Sequence, residues 1–166
     1  MIEILSNHAV EIAIAAGATI VVAVIGGVAT EVGPWYESLR FPALRPPNWL
    51  FAPAWAVIFA LIAASGVVAW DETPTQAHAG LIALYAVNGV LNAGWSPLFF
   101  KLRRPDWALL EVLPFWASVL ALILYVAPYS PSAAELLAPY LAWVTFAGWL
   151  NWQMVKLNAP FPPRKD

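Results

Sequence analysis

Residues 50–70 read LFAPAWAVIFALIAASGVVAW, a run of 21 residues that contains no charged side chain. At ~1.5 Å of rise per residue, a helix of this length is about 30 Å long and matches the hydrocarbon core of a bilayer. Four further apolar runs of similar length lie at 12–32, 77–100, 107–127 and 135–157. We therefore predict an all-α integral membrane protein, a five-helix transmembrane bundle formed by a single domain over residues 1–166.

The composition supports this class. Hydrophobic residues make up 61% of the chain and charged residues 11%, with a mean hydropathy of +0.70, whereas soluble domains have about 25% charged residues. Five buried helices in 166 residues would leave too little polar sequence to cover them in water. A transmembrane β-barrel is excluded because the runs are continuously apolar rather than alternating segments of about 10 residues.

The positive charges indicate the orientation. With five spans, the first loop, the third loop and the C-terminus share one side of the membrane, and the opposite side carries only acidic residues. The shared side holds every Lys and Arg of the chain: Arg40, Arg45, Lys101, Arg103, Arg104, Lys156, Arg164 and Lys165. By the positive-inside rule, the N-terminus is predicted outside and the C-terminus in the cytoplasm.

Aromatic residues are abundant, and the ten tryptophans divide by depth. Trp35, Trp49, Trp70 and Trp107 lie near span ends, where they are typical of the interfacial aromatic belt. Trp55 and Trp95 lie within about two turns of the cytoplasmic edge on different predicted helices. They could pack between helices, or they could line an aromatic cavity that opens towards the cytoplasm.

Polar and small residues inside the spans suggest further contacts. Asn88 and Asn92 share one face of the third predicted helix because they are four residues apart. An interhelical hydrogen bond is the simpler reading for Asn88, and Asn92, one turn before Trp95, is the better candidate for a ligand contact. Gly89 and Ala93 form a small-xxx-small pair that favours close helix packing or dimerisation.

The fifth predicted helix carries a possible notch. Trp143, Ala147 and Leu150 follow one another at i, i+4 and i+7, so a small residue lies between two large ones on one face. This notch could seat a flat ligand or a neighbouring helix.

Few residues suggest catalysis. His8 and His78 both fall on the outer side without clustered carboxylates, and the chain has no cysteine, so we expect no metal site. Glu111, one turn into the fourth helix, is the only acidic residue expected inside the membrane edge, too few for a proton relay. No basic run is long enough to suggest a nucleic-acid partner.

Three segments together carry a family resemblance: WYESLRFPALRPPNWLFAPAW (35–55), LNAGWSPLFF (91–100) and PYLAWVTFAGWLNW (139–152). In this order across five spans they resemble the TspO/MBR family, the tryptophan-rich sensory proteins whose animal members are called translocator protein or peripheral benzodiazepine receptor. The resemblance covers almost the whole chain.

The resemblance implies a homodimer, here through Gly89 and Ala93 of the third helix, with a ligand pocket inside each bundle. The loop 34–49 would cover the pocket as a lid, stiffened by Pro42, Pro46 and Pro47 and carrying Trp49. Transferred position by position, the ligand-binding residues are Trp35, Tyr36, Trp55, Asn92, Trp95, Trp107, Trp143, Ala147 and Leu150.

The function implied is a receptor in a bacterial membrane for hydrophobic ligands, acting in porphyrin handling or stress signalling. Its ligands would be tetrapyrroles such as protoporphyrin IX and haem, and also sterols or isoquinoline and benzodiazepine drugs, with no required cofactor. One alternative is a light-dependent porphyrin-degrading enzyme that uses Trp55 and Trp143. Another is a porphyrin or sterol transporter.

Two positions depart from the family pattern. Leu44 stands where many members have tryptophan, so the lid lacks one aromatic ring. The sterol motif near the end of the fifth helix has Trp152 and Gln153 around the position of its tyrosine and retains Lys156. Sterol is therefore a less expected ligand than a tetrapyrrole.

Overall fold

The computed structural model describes residues 8–161, which fold into six α-helices and contain no strand. The predicted all-α class is confirmed. A 3₁₀ turn at Thr75–Ala77 precedes the fourth helix, and a π-helical turn at Pro97–Lys101 follows it. The helices are α1 (Ala9–Ala29), α2 (Pro34–Glu37), α3 (Asn48–Glu72), α4 (His78–Ser96), α5 (Pro105–Val126) and α6 (Pro131–Asn158).

Four of these helices, α1, α3, α5 and α6, are long and apolar enough to cross a membrane. The predicted count of five spans is not established, because α4 does not meet the same criterion of length and hydropathy. In α1 only 6% of the most apolar segment is buried, at a mean hydropathy of 2.4. An apolar surface of this extent needs lipid around it, so the chain is an integral membrane protein.

Proline and hydroxyl side chains set the helix ends. Pro105 and Pro131 occupy the first turns of α5 and α6, where a missing N–H costs nothing. The Ser130 hydroxyl accepts a hydrogen bond from the backbone N–H of Ala133 at 3.2 Å. This cap starts α6 four residues before the predicted span at 135–157. The predicted span 77–100 ends differently, because its last residues form the π-helical turn.

The five long helices form a closed ring. Around the ring the order is α1, α3, α6, α5, α4 and back to α1. The consecutive helices α3 and α4 barely touch each other, because α1 lies between them on one side of the ring and α6 and α5 lie between them on the other. The ring order therefore differs from the chain order, and it leaves a central space that all five helices can reach.

Polar contacts show which helix ends lie together. At one end, Lys101 pairs with Glu31 at 3.2 Å. At the same end, the Asn158 side chain accepts a hydrogen bond from the Arg40 N–H at 2.8 Å and donates one to the Arg40 carbonyl at 2.9 Å. We call this end the cationic end; it carries all the described Lys and Arg residues: Arg40, Arg45, Lys101, Arg103, Arg104 and Lys156. Arg164 and Lys165 lie outside the described residues. At the other end, His8 pairs with Asp71 at 3.3 Å.

The tightest packing joins α5 to α6. Leu122 of α5 and Leu137 and Tyr140 of α6 are completely buried. Gly148 lets the two backbones approach, since an added Cβ would lie 2.8 Å from the Cγ1 of Val112. This rigid pair forms one side of the central space.

A candidate ligand cavity at the cationic end

The central space widens into a cavity of about 540 Å³ near the cationic end. Its wall comes from all five long helices and from the segment between α1 and α3. A volume of this size is typical of small-molecule sites, which are largely apolar with a few placed polar groups. Eight sequence-predicted site or lid residues line it: Tyr36, Pro42, Trp55, Asn92, Trp95, Trp143, Ala147 and Leu150.

Two tryptophans form an aromatic corner of the cavity. The rings of Trp55 and Trp143 lie nearly perpendicular, at 84°, with centroids 6.4 Å apart. Trp55 also stacks on Phe59 at 5.4 Å, and Phe51 meets Trp143 edge-on at 5.8 Å. These contacts restrain both indoles, and both residues line the cavity.

Two indole N–H groups at the cavity are unsatisfied. Nε1 of Trp95 and Nε1 of Trp143 are buried and have no hydrogen-bond partner. Buried donors are nearly always paired in folded proteins, and an unpaired donor costs about 1–3 kcal/mol. Both residues line the cavity.

A chain of hydrogen bonds runs from the cavity wall into the bundle. The Asn92 amide donates to the Tyr140 hydroxyl at 2.8 Å, and that hydroxyl donates to Asn88 Oδ1 at 3.1 Å. Asn88 then donates to Ser118 at 2.8 Å, so its predicted interhelical hydrogen bond is present. No described residue bonds Asn92 Oδ1, and this acceptor remains available at the cavity wall.

The segment between α1 and α3 closes the cationic end of the cavity. Tyr36 packs against Phe41 and Phe100 at centroid distances of 5.1 and 5.4 Å. The Arg45 guanidinium lies 3.6 Å above the ring of Phe41. Burial raises the pKa of the Tyr36 phenol, and the nearby charge of Arg45 offsets part of the rise.

The other predicted residues lie away from the cavity wall. Trp35 packs edge-on against Phe99 at 6.1 Å, behind the wall. Trp107 is 47% exposed, and the Arg104 guanidinium lies 4.2 Å from its ring centroid. Trp49 is 70% exposed on the first turn of α3. Pro46 and Pro47 precede α3 and do not line the cavity either.

Sequence reasoning missed the wall that α1 contributes. Val22, Ala23, Gly26, Gly27 and Thr30 line the cavity, although the α1 sequence indicates only an apolar span. An added Cβ at Gly27 would meet no atom within 4 Å. The adjacent glycines were the available signal, because they keep this part of the wall free of side chains.

Two aromatic wall residues of α3 were missed as well. Phe51 and Phe59 lie four residues either side of Trp55 and therefore share its helix face. The i, i+4, i+8 spacing of these rings was readable from the sequence.

The histidines are engaged far from the cavity. His8 pairs with Asp71, and His78 stacks on Trp70 with centroids 3.9 Å apart. Within residues 8–161, no three His, Cys, Asp or Glu side chains cluster closely enough to hold a metal ion.

A ring of apolar helices around an aromatic cavity, lined at one end by a connecting segment, defines a helical membrane protein with a cavity of small-molecule size inside its bundle. The particular family follows from sequence comparison. The chain belongs to the TspO/MBR family, whose sequence model matches residues 14–157. This is a family of membrane receptor and sensory proteins.

Relatives occur in animals and bacteria. The chain is 38% identical to the translocator protein of Bos taurus over 126 residues, which cover 75% of each chain. It is 34% identical to the tryptophan-rich protein TspO of Chlorobaculum tepidum over 126 residues, 75% of this chain and 79% of the relative. It is 33% identical to a tryptophan-rich sensory protein of Cereibacter sphaeroides over 133 residues, 80% of this chain and 82% of the relative.

Proposed function

We propose that this protein is a membrane receptor that binds a tetrapyrrole, such as protoporphyrin IX or haem, in the cavity at the cationic end. The observation that carries the proposal is the perpendicular pair Trp55 and Trp143 in a cavity of about 540 Å³. A flat conjugated macrocycle can stack on one indole and meet the edge of the other. The receptor would act in porphyrin handling or stress signalling.

The polar groups of the wall also suit such a ligand. The unpaired N–H groups of Trp95 and Trp143 can donate to acceptors at the rim of the macrocycle. Asn92 Oδ1 can accept from a pyrrole N–H. Because the remaining wall is mostly apolar, these few groups would set the orientation of the ligand.

The proposal includes five membrane crossings. α4 and its π-helical turn together cover residues 78–101, about 24 residues, which is enough to span the hydrocarbon core. α4 also closes the ring between α1 and α5, so it must lie at the same depth as its neighbours. With the cationic end in the cytoplasm of a bacterial cell, the N-terminus lies outside.

A homodimer through α4 is part of the same proposal. Val90 and Ile82 of α4 are 73% and 57% exposed, which leaves an apolar face for a second copy. Of the small pair, Gly89 faces α1 in its own chain, because an added Cβ would lie 3.5 Å from Val22. Ala93 is therefore the better placed of the two for a contact between chains.

The test is a titration of the detergent-solubilised protein with protoporphyrin IX in the dark, followed by quenching of tryptophan fluorescence. We expect saturable binding that Trp55→Phe and Trp143→Phe each weaken by about tenfold. Trp152→Phe is the matched control, because Trp152 lies on the same helix as Trp143 but is 45% exposed outside the cavity. Linear quenching, or equal affinity in all variants, would show that porphyrin only partitions into the micelle.

Light-dependent degradation of bound porphyrin is a second candidate, favoured by the same pair of indoles. A photoexcited macrocycle can accept one electron from an adjacent indole and pass it to dioxygen, which gives superoxide. The indole radical cation would then take an electron from the porphyrin, which restores the indole, and superoxide would combine with the porphyrin radical cation to give an oxygenated product. The wild type would then lose the porphyrin absorption band only in light and in the presence of dioxygen. Trp143→Phe, measured at saturating porphyrin, should retain the band.

A further inference from the structure

Arg45 is a cation in the wall of a cavity that offers it no anion. It is the only Lys or Arg among the described residues that line the cavity, and no described Asp or Glu lines it. None of the ion pairs among residues 8–161 includes Arg45. Its charge therefore has no counterion among the described residues.

Four of the five other described cations of the same end are already engaged elsewhere. Lys101 pairs with Glu31, and Arg104 pairs with Asp106. Arg103 and Lys156 lie over the rings of Trp35 and Trp152, with cation-to-centroid distances of 5.7 and 4.6 Å. None of these four lines the cavity.

Three neighbours hold the Arg45 side chain in place. A terminal nitrogen donates to Asn48 Oδ1, and the guanidinium carbon lies 3.6 Å from the ring centroid of Phe41 and 5.3 Å from that of Tyr36. Nε is buried and has no partner. The group is thus oriented before any ligand arrives, with a donor still free.

A guanidinium in this state is a binding group for an oxyanion. Its planar fork of N–H donors matches the two oxygens of a carboxylate, and a charge-assisted hydrogen bond is stronger where water is excluded. The aromatic corner of Trp55 and Trp143 faces the same cavity. The complementary ligand therefore has a flat apolar body and a carboxylate that reaches the segment between α1 and α3.

We infer that Arg45 is the anion-recognition residue of the cavity and that the protein selects planar ligands with a free carboxylate over their neutral esters. The inference rests on the proposed function, since it specifies which tetrapyrroles the cavity accepts. Lysine at this position would keep the charge but lose the planar fork, so it should discriminate less well.

The experiment compares protoporphyrin IX, which carries two propionates, with its dimethyl ester in the dark. Wild type should bind the free acid at least tenfold more tightly than the ester. Arg45→Gln should remove this preference by weakening acid binding while ester binding stays unchanged, and Arg45→Lys should give an intermediate ratio. Arg40→Gln is the control, because Arg40 lies in the same segment but outside the cavity wall.

The outcomes separate this inference from the proposed function. Saturable and equal binding of acid and ester to wild type would overturn the role of Arg45 and leave tetrapyrrole binding intact. Equal weakening of both ligands by Arg45→Gln would mean that Arg45 only supports the closing segment, and would also overturn it. If neither ligand binds wild type saturably, the proposed tetrapyrrole binding is wrong, and the role of Arg45 falls with it. If Arg45→Gln does not fold, the acid-to-ester ratio of Arg45→Lys decides the question.

Discussion

The amide nitrogen of Asn92 lies 2.8 Å from the hydroxyl oxygen of Tyr140, and this hydrogen bond joins the cavity wall to the buried centre of the bundle. Tyr140 is completely buried, and it passes the connection on to Asn88 and Ser118. A change in the hydrogen bond of Asn92 would therefore affect contacts of α4, α5 and α6 together.

Removing the hydroxyl in Tyr140→Phe should destabilise the protein by about 1–3 kcal/mol, because Asn88 Oδ1 and Asn92 Nδ2 both lose a buried partner. We also expect weaker ligand binding, since Asn92 is no longer held in one orientation. Thermal unfolding in detergent measures the first effect. Tyr129→Phe is the control, because that hydroxyl makes no hydrogen bond with the described residues and its ring is 41% exposed. Equal melting temperatures for the two variants would contradict the prediction.

Gly148→Ala should destabilise the bundle by about 1–3 kcal/mol, because the new Cβ would lie 2.8 Å from Val112, a β-branched side chain with little freedom to move. Val112 lines the cavity, so ligand affinity should fall as well. Gly17→Ala is the matched control, since an added Cβ there meets no atom within 4 Å. The measurement is the melting temperature of each variant. The prediction is wrong if Gly148→Ala and Gly17→Ala have the same melting temperature.

Glu111→Leu should stabilise the protein by about 1–3 kcal/mol, because both carboxylate oxygens of Glu111 are buried without a hydrogen-bond partner. A buried carboxylate that destabilises the fold often has a functional role, so we also expect the stabilised variant to bind protoporphyrin IX more weakly. Glu135→Leu, at an exposed position of α6, should leave the melting temperature unchanged. A drop in stability for Glu111→Leu would show that the carboxylate has a structural role.

Asn158→Ala should loosen the segment between α1 and α3, because Asn158 binds both the N–H and the carbonyl of Arg40. Trypsin should then cut after Arg40 several times faster, while Arg45 stays resistant because Pro46 follows it. Asn158→Asp keeps the acceptor for the Arg40 N–H and loses the donor, so its cleavage rate should be intermediate. Unchanged cleavage in Asn158→Ala would mean that the aromatic contacts of Tyr36 alone hold the segment.

The sequence was informative about features that depend on a single helix or turn, such as helix limits and the residues that share a helix face. The start of α5 at Pro105 follows from local chemistry, as does the shared face of Trp143, Ala147 and Leu150, whereas α6 begins four residues before its predicted span. The positions of Trp55 and Trp95 near the cationic end follow from counting residues along apolar runs.

Features that depend on the ring order were out of reach. The adjacent glycines of α1 indicate a surface free of side chains, but its place in the cavity wall depends on α1 lying between α3 and α4, which no periodicity in α1 reveals. Trp35 and Trp107 were predicted to line the cavity, but they lie outside its wall. Their direction depends on how short connecting segments fold back, and the Arg103 backbone there has a left-handed φ of 54°, which sequence patterns rarely indicate for arginine.

The place of α6 in the ring has a consequence for biogenesis. α6 is the last of the described helices to be synthesised, yet it lies between α3 and α5 and is the only described long helix that bridges them. Until it inserts, the earlier helices form an open crescent, with Asn88 lacking its Tyr140 partner and exposed to the membrane interior. A chain shortened before Pro131 would therefore lack both the α6 side of the ring and the α6 residues of the cavity wall.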